Sequence, residues 1–454
     1  MRRLLVTSLL ALAGCGAFEE QRSQPNVLMY VVDTLRPDSL GAYGNSFVQT
    51  PAIDRLAAEG VRVERAYAAT GWTRASVASI LSGLEPVVHG AKSRHDVLSK
   101  RISLLSEQLR TQGYQTAAIV ANPNVGSFYG FQQGFDDFIE LYQRREQGRV
   151  QSGELIASGQ QLTQQATAWL AEARRPFFLF MLSVDPHWPY HPPAAFDRYA
   201  GDYAGAVRNG HQDALRHDLG PADRSRIRAF YDAEVSYNDD AFGRLLDKLR
   251  AAGVYEDTLI VFTSDHGEEF WDHGDRWHGR QLFEESVRVP LILRGPGIGP
   301  PGSRLESAGL IDVVPTVLAQ LGLPIPAGLP GQPLLAKGSS PPSEHHIFLD
   351  LGEYRSEALI AHPWKLIVDK ASGARQLFHL ERDPLELDDR AASAPDELAR
   401  LEAALSRQRT RQRERHTRLF LGGAAPRADE SQLPPAERRA LEALGYLEPA
   451  APPP

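Results

Sequence analysis

The chain has 454 residues, a hydrophobic fraction of 42% and a mean hydropathy of -0.32, the balance of a soluble globular protein with enough length for one large α/β unit plus an appendage, or for two ordinary domains. A formal net charge of -8 argues against nucleic-acid binding, so affinity for an anionic ligand must come from local groups or a metal ion rather than from the overall field. Cys15 is the single cysteine, which excludes an intramolecular disulfide.

At the N-terminus Arg2 and Arg3 precede an apolar stretch over 4–12 that is too short to span a bilayer and runs into Leu12-Ala13-Gly14-Cys15. This segment resembles a bacterial lipobox. The resemblance implies that Cys15 is lipidated, becomes the mature N-terminus and tethers a soluble body to the membrane of the cell envelope. Gly16, where Asp would be the retention signal, leans toward the outer membrane where the host has one. The alternative is a secretory signal with an incidental cysteine. Residues 1–24 are therefore read as signal and linker, outside the fold.

Residues 25–33 (PNVLMYVVD) read as a buried first strand ending in the carboxylate of Asp33. Thr50-Pro51 opens a helix that Gly60 ends. Further buried strands are expected at 115–120, 176–185, 259–263 and 289–293, with helices at 102–112, 153–173, 222–252 and 310–321. This alternation predicts an α/β fold with a doubly wound, largely parallel central sheet and helices on both faces. A Pro/Gly/Ser-rich stretch over 324–342 marks a boundary between a catalytic unit at 25–335 and a C-terminal subdomain at 336–450. In the latter, short runs at 346–349, 364–368 and 376–380 suit a small antiparallel sheet. The charged segment 395–418 reads as a helix whose arginines form a solvated face, and the terminal AAPPP as disordered.

The segment LIVFTSDHGEEF at 259–270 breaks from an apolar run straight into Asp265-His266-Gly267. Just past a strand end the backbone can turn two adjacent side chains toward one ion, although a corner with a capping Asp and a surface His fits equally well. Other polar groups share the placement: Asp33 ends the first strand, Asp185, His187 and His191 follow a third, and His278 lies shortly beyond the Asp265 turn. In a doubly wound sheet such positions converge on one edge, and two carboxylates with several imidazoles are metal-site chemistry.

PNVLMYVVDTLRPDSLGAYG, GWTRASVASILSG, VDPHWPYHPP, FTSDHGEEFWDHG, FEESVRVPLILRGPG and PWKLIVDKASGARQLFHLERDPLEL resemble, in this order, the landmarks of the sulfatase family within the alkaline phosphatase superfamily. The resemblance places the first metal carboxylate on Asp33 and the later metal pair on Asp265 and His266. Family members often carry a second Asp where this chain has Thr34, and many have Asn where it has His266. An imidazole with two carboxylates suits zinc or manganese, with calcium or magnesium as the fallback. The formylglycine position falls on Thr73, in Thr73-Arg74-Ala75-Ser76-Val77, where the modifiable Cys or Ser, the Pro and the Arg of the family motif are all replaced. Threonine cannot yield the aldehyde. A hydroxyl activated by a divalent cation can nevertheless attack phosphorus in line, so Thr73 is expected to be the nucleophile and a metal ligand; the competing role is a cap for a helix starting near Ser76.

On the substrate side the resemblance implies contacts from His187 and His278, either of which could act as general acid, and from Asn122, which lies where the Lys-x-His pair of many sulfatases has no match. Asp185, His187, His191 and His278 form a less favoured second metal site, and His89, His95, His273 and Arg36 are weaker candidates. The expected activity is hydrolysis of a phosphate, phosphonate or sulfate ester of a small molecule, glycan or lipid. Alternatives are transfer of a phospho-linked group to an envelope glycan or lipid, and a lipoprotein that binds an anionic glycan without turning it over.

Overall fold

A computed structural model describes residues 24–143, 157–208, 210, 213–336, 343–421 and 423–447. Cys15, the first part of the helix expected at 153–173, part of the boundary stretch at 324–342 and the terminal AAPPP lie outside these residues. Among the described residues, no helix is long and apolar enough to cross a membrane.

In chain order the first half contains β1 (Asn26–Val32), α1 (Pro51–Glu59), β2 (Val61–Tyr67), α2 (Thr73–Ser82), α3 (Pro86–His89), α4 (Leu105–Thr111), β3 (Gln115–Val120), β4 (Asp137–Glu140), α5 (Gly159–Leu170), β5 (Phe177–Ser183) and α6 (Pro221–Ala251). Then follow β6 (Thr258–Ser264), β7 (Glu269–Phe270), β8 (Arg276–Trp277), α7 (Glu284–Val287), β9 (Arg288–Val289), β10 (Leu291–Arg294), β11 (Ser303–Gly309) and α8 (Val313–Gln320). The C-terminal part holds β12 (His345–Leu351), β13 (Tyr354–Ala361), β14 (Trp364–Asp369), β15 (Arg375–His379), α9 (Pro395–Phe420) and α10 (Pro435–Ala443).

The main sheet runs β11-β2-β10-β6-β1-β5-β3-β4, with β9 pairing β2. β1 is parallel to both neighbours, β5 and β6, and β3 continues the parallel set; β10 is the antiparallel exception between β6 and β2. Every residue of β1, β5 and β6 is buried, as expected of strands covered on both faces, and each face carries its own apolar core. This is the doubly wound α/β architecture that the strand and helix alternation predicts.

The departures have local causes. The run expected at 289–293 is split by Pro290, which cannot donate to the ladder, so β9 pairs with β2 and β10 inserts between β2 and β6. β2, β4, β11 and β13 are absent from the sequence reading because none is a continuous apolar run; VRVERAY alternates only over its first half, and the first four residues of SRLESAG are all accessible. β13 completes a small antiparallel sheet, β12-β13-β14-β15. One face of that sheet packs on Trp72, Ala75, Leu282 and Phe283 beside the site, and the other on Leu401, Ala404 and Leu405 of α9. The α9 arginines do more than face solvent. Arg409 and Arg415 form ion pairs with the buried Glu357 and Glu85.

Candidate active site

Parallel pairing aligns Val32 of β1 with Ser264 of β6, so Asp33 and Asp265, each the next residue, leave the sheet side by side at its C-terminal edge. Ser264 ties the two strand ends together: its Oγ accepts from the Leu35 amide at 2.8 Å, and lies 2.7 Å and 2.6 Å from the Val32 and His266 carbonyls. Thr34 sits at φ 60°, a strained conformation for a β-branched residue, and from there its amide donates to Asp265 Oδ1 at 3.2 Å. Gly267 is required by close approach, since a Cβ there would lie 1.9 Å from the Glu285 carbonyl oxygen.

Each carboxylate has one oxygen held and one left over. Asp33 Oδ2 accepts from Asn122 Nδ2 at 2.6 Å, and Asp265 Oδ1 accepts from the amides of Thr34 and His266. Asp33 Oδ1 and Asp265 Oδ2 are buried without a hydrogen-bond donor and face His266 Nε2 at 3.8 Å and 3.5 Å. His266 Nδ1 donates to the Gly267 carbonyl at 2.9 Å, which leaves the lone pair on Nε2, directed at the same point. Burial pushes the pKa of both aspartates up, and the neighbouring Asp265 charge raises Asp33 further. Two buried carboxylates with unpartnered oxygens around an imidazole lone pair are the donor set of a divalent cation. Asp33, Asp265 and His266 are the one group among the described residues whose ligand atoms cluster in this way. The residues present fit the metal that the resemblance implies.

Thr73 is the first residue of α2, with Trp72 at the N-cap. The cap expected for a helix starting near Ser76 is thus corrected: the Ser76 amide already makes a helical bond to the Trp72 carbonyl, and the Ser76 hydroxyl donates to the Asp265 carbonyl at 2.5 Å. The Thr73 hydroxyl is free to turn inward, where it lies 3.2 Å from His266 Nε2. It combines the positive end of a helix with the edge of the candidate metal site.

His187, on the turn after β5, and His278, after β8, come together with ring centroids 4.8 Å apart, and His278 lies 4.5 Å from His266. His187 Nδ1 donates to the Trp188 carbonyl, leaving Nε2 toward the centre. His278 Nδ1 contacts Glu268 Oε1 at 2.9 Å, and Glu268 is held in turn by the Tyr190 hydroxyl at 3.2 Å. Burial raises Glu268 to about 8 and lowers both histidines well below the ordinary imidazole value. Glu268 therefore fixes the His278 ring through Nδ1, mainly as the neutral acid near pH 7, and Glu268→Leu, which removes that contact, is expected to lower kcat by about 10- to 100-fold, checked in steady-state assays.

Asn122 reaches the centre, but its amide serves first to anchor Asp33; its Nδ2 also lies 3.4 Å from the Tyr446 hydroxyl. The second metal site is not assembled among the described residues. The Asp185 carboxylate instead accepts the Gly159 amide at the head of α5 at 2.6 Å, and the His191 amide donates to Glu234 on α6. The weaker candidates make contacts elsewhere: His89 with Ser79, the exposed His95 with Glu430, His273 stacked on Phe283 and bonded to Glu285, and Arg36 paired with Asp38 and Asp272.

Two groups at the centre were missed by sequence reasoning. Glu268 adjoins the Asp-His-Gly turn, and its position after a buried strand end was a usable signal. Tyr446, 373 residues beyond Thr73, carried none; its hydroxyl lies 3.1 Å from Thr73 Oγ1, 2.8 Å from His187 Nε2 and 3.5 Å from His278 Nε2.

The sulfatase family model matches residues 25–323. An arylsulfatase of Clostridium perfringens is 26% identical over 432 residues, covering 80% of this chain and 89% of its own. A choline-sulfatase of Rhizobium meliloti is 27% identical over 428 residues, covering 81% and 82%. Among solved structures, the phosphonate monoester hydrolase of Agrobacterium radiobacter superposes with a TM-score of 0.71 at 23% identity, over 87% of this chain and 96% of that one. Together with a doubly wound sheet whose C-terminal edge gathers Asp33, Asp265 and His266, the match over 25–323 means that the chain belongs to the sulfatase family of ester hydrolases.

Proposed function

We propose that this sulfatase-family hydrolase cleaves a phosphate or phosphonate ester, with a sulfate ester as the less favoured substrate, through Thr73 as nucleophile. The observation that carries this reading is the Thr73 hydroxyl, 3.2 Å from His266 Nε2 at the start of α2, on a residue that cannot become formylglycine. A divalent cation held by Asp33, Asp265 and His266, zinc or manganese by donor chemistry, would supply positive charge that lowers the hydroxyl pKa and offsets charge on the transferring group. Calcium or magnesium is the fallback.

The Thr73 hydroxyl gives up its proton to a neutral imidazole of the His187 and His278 pair as Oγ1 attacks phosphorus in line, and the bond to the leaving oxygen breaks as the phospho-threonine bond forms. His187 and His278 face the same centre. Burial alone favours their neutral forms, but an arriving anion favours the imidazolium, from which the leaving oxygen takes its proton. Water then cleaves the phospho-threonine, restoring the hydroxyl. The Asn122 side-chain amide and the backbone amides of Thr34 and His266 keep the carboxylates fixed throughout, which is the positioning that phosphoryl transfer depends on.

The relatives supply context for the substrate: one is named for aryl sulfates, one for choline sulfate, and the similar solved structure for phosphonate monoesters. The Leu12-Ala13-Gly14-Cys15 sequence supports a lipid anchor at Cys15 that holds the enzyme at the bacterial envelope, facing glycan, lipid or small-molecule esters. Purified protein supplied with zinc or manganese is expected to turn over an aryl phosphate or phosphonate faster than the matched aryl sulfate. Faster turnover of the sulfate would overturn the preference.

A further inference from the structure

Tyr446 occupies the centre of the site in a way that its own chemistry does not require. A phenol hydroxyl has one proton to give and two lone pairs, yet this one lies within 3.5 Å of four polar atoms: Thr73 Oγ1, Asn122 Nδ2, His187 Nε2 and His278 Nε2. Those four converge on a point better suited to a group with several oxygens. Beneath the ring, Asp33, Thr73, Asn122, Asp265 and His266 have no solvent exposure, and His187 is 3% exposed. Tyr446 itself is only partly buried, and packs against the cores of both sheet faces and of the small sheet. No ester can reach Thr73 while it stays in place.

The tyrosine is delivered by a defined device. At the end of α10, Gly445 adopts φ 74°, its amide bonds the Glu442 carbonyl, and the Tyr446 amide bonds the Leu441 carbonyl at 2.8 Å, a glycine-terminated helix end that aims the following side chain. The connection 423–434 is tied down by Leu433, by Ala425 and Ala428 on the core and by pairing with residues 95–97, and α10 buries Ala440, Leu441 and Leu444; only the end beyond them is weakly held, with Gly445 exposed and Tyr446 and Leu447 half-buried. Segments with few buried contacts are those that open at low cost.

From these contacts we infer that Tyr446 is an internal competitor of the substrate. Its hydroxyl stands where the ester oxygens bind, and the end of the segment, residues 445–447, must swing away before an ester enters. Access, and hence apparent affinity, is set by the fraction of molecules in which Tyr446 is withdrawn. The inference rests on the reading of Thr73, Asn122 and His187 as the groups that receive the ester. Burial, then the charge of Asp33, raises the phenol well above its ordinary pKa, so it stays a neutral hydroxyl in the site.

The test uses full-length protein loaded with zinc, inorganic phosphate as the probe and calorimetry as the readout, on wild type, Tyr446→Phe and Tyr446→Ala. Phosphate is expected to bind about tenfold more tightly to Tyr446→Ala, with Tyr446→Phe between, since a docked hydroxyl no longer has to be displaced. Adding phosphate to wild type is also expected to speed amide hydrogen exchange at 445–447, a readout independent of turnover and of whether a variant folds. In aryl phosphate hydrolysis KM falls in both variants while kcat holds or rises. Equal phosphate affinities in the three proteins, or no binding to any, overturn the inference. So does a fall in kcat at unchanged phosphate affinity in Tyr446→Phe, which would place the hydroxyl in the chemistry. Thr73→Ala separates the two readings: full turnover in that variant, with Tyr446→Ala still tightening phosphate, removes the nucleophile but leaves the competitor.

Discussion

With Thr73 as the proposed nucleophile, Thr73→Ala is expected to lower kcat by at least about 10³-fold, while Thr73→Ser retains measurable turnover. The size follows from the role: with the attacking oxygen gone, only binding and charge stabilisation remain, and those alone leave a small part of the rate enhancement. The substitution is otherwise mild. Thr73 is the first residue of α2, after the N-cap Trp72, its hydroxyl turns to His266 and Tyr446, and alanine is a better helix former. The hydroxyl contacts His266 Nε2 and the Tyr446 hydroxyl, so its removal leaves the carboxylate anchors from Asn122, Thr34 and His266 intact. Metal content and unfolding temperature are therefore expected to stay near wild type. Serine keeps an oxygen at the same place with a looser rotamer. A Thr73→Ala protein with wild-type turnover would remove the nucleophile, and a metal-free, inactive wild type would favour the anionic-glycan-binding lipoprotein instead.

The second large effect is on stability. Stripped of metal, the protein is expected to lose stability as pH rises from the ordinary carboxylate range toward neutrality, and to regain it when zinc or manganese is added. Burial raises the folded-state pKa of Asp33 and Asp265 above their unfolded values. A raised pKa means that stability is fully present below the unfolded value and is lost as pH climbs through the folded one, because the unfolded chain then sheds the protons more readily. Glu268, raised to about 8, adds to the same slope near neutral pH. A cation bound to the ionised pair removes the conflict, and at about 1,000 times its Kd contributes about 4 kcal/mol. Asp33→Asn keeps an acceptor for Asn122 while deleting one charge. In that variant the metal-free protein should unfold at a higher temperature than metal-free wild type at neutral pH, and should gain little from zinc. Calorimetric scans across pH, with and without metal, read both changes; a flat metal-free profile would contradict the assigned burial of charge.

Much of the fold was legible because its central strands are continuous apolar runs. β1, β3, β5 and β6 lie where the sequence placed them, within a residue or two at each end. The runs at 289–293, 346–349, 364–368 and 376–380 also became strands, whereas β2, β4, β11 and β13 escaped because polar or charged residues interrupt each, as in Val61–Tyr67, so no unbroken apolar run marks them. The site divides in the same way. Asp33, Asp265 and His266 sit directly at strand ends, where sequence position nearly specifies spatial position, whereas Glu268 acquires its partner His278 only through the fold of the loop between them.

Taken alone, the sequence determined the doubly wound sheet, the strand-end carboxylates and the imidazole beside them, and its family resemblance placed Thr73 where a modifiable residue is expected. All of these depend on hydrophobic periodicity and on motifs a few residues long. The tertiary structure decided which oxygens are left unpartnered, where α2 begins, that Asp185 and His191 turn away, and that Tyr446 fills the centre of the site. These follow from strand register and from contacts between residues hundreds of positions apart, which no local pattern encodes. Register aligned Val32 with Ser264 and so brought Asp33 beside Asp265, and only the docking of α10 carried Tyr446 to Thr73.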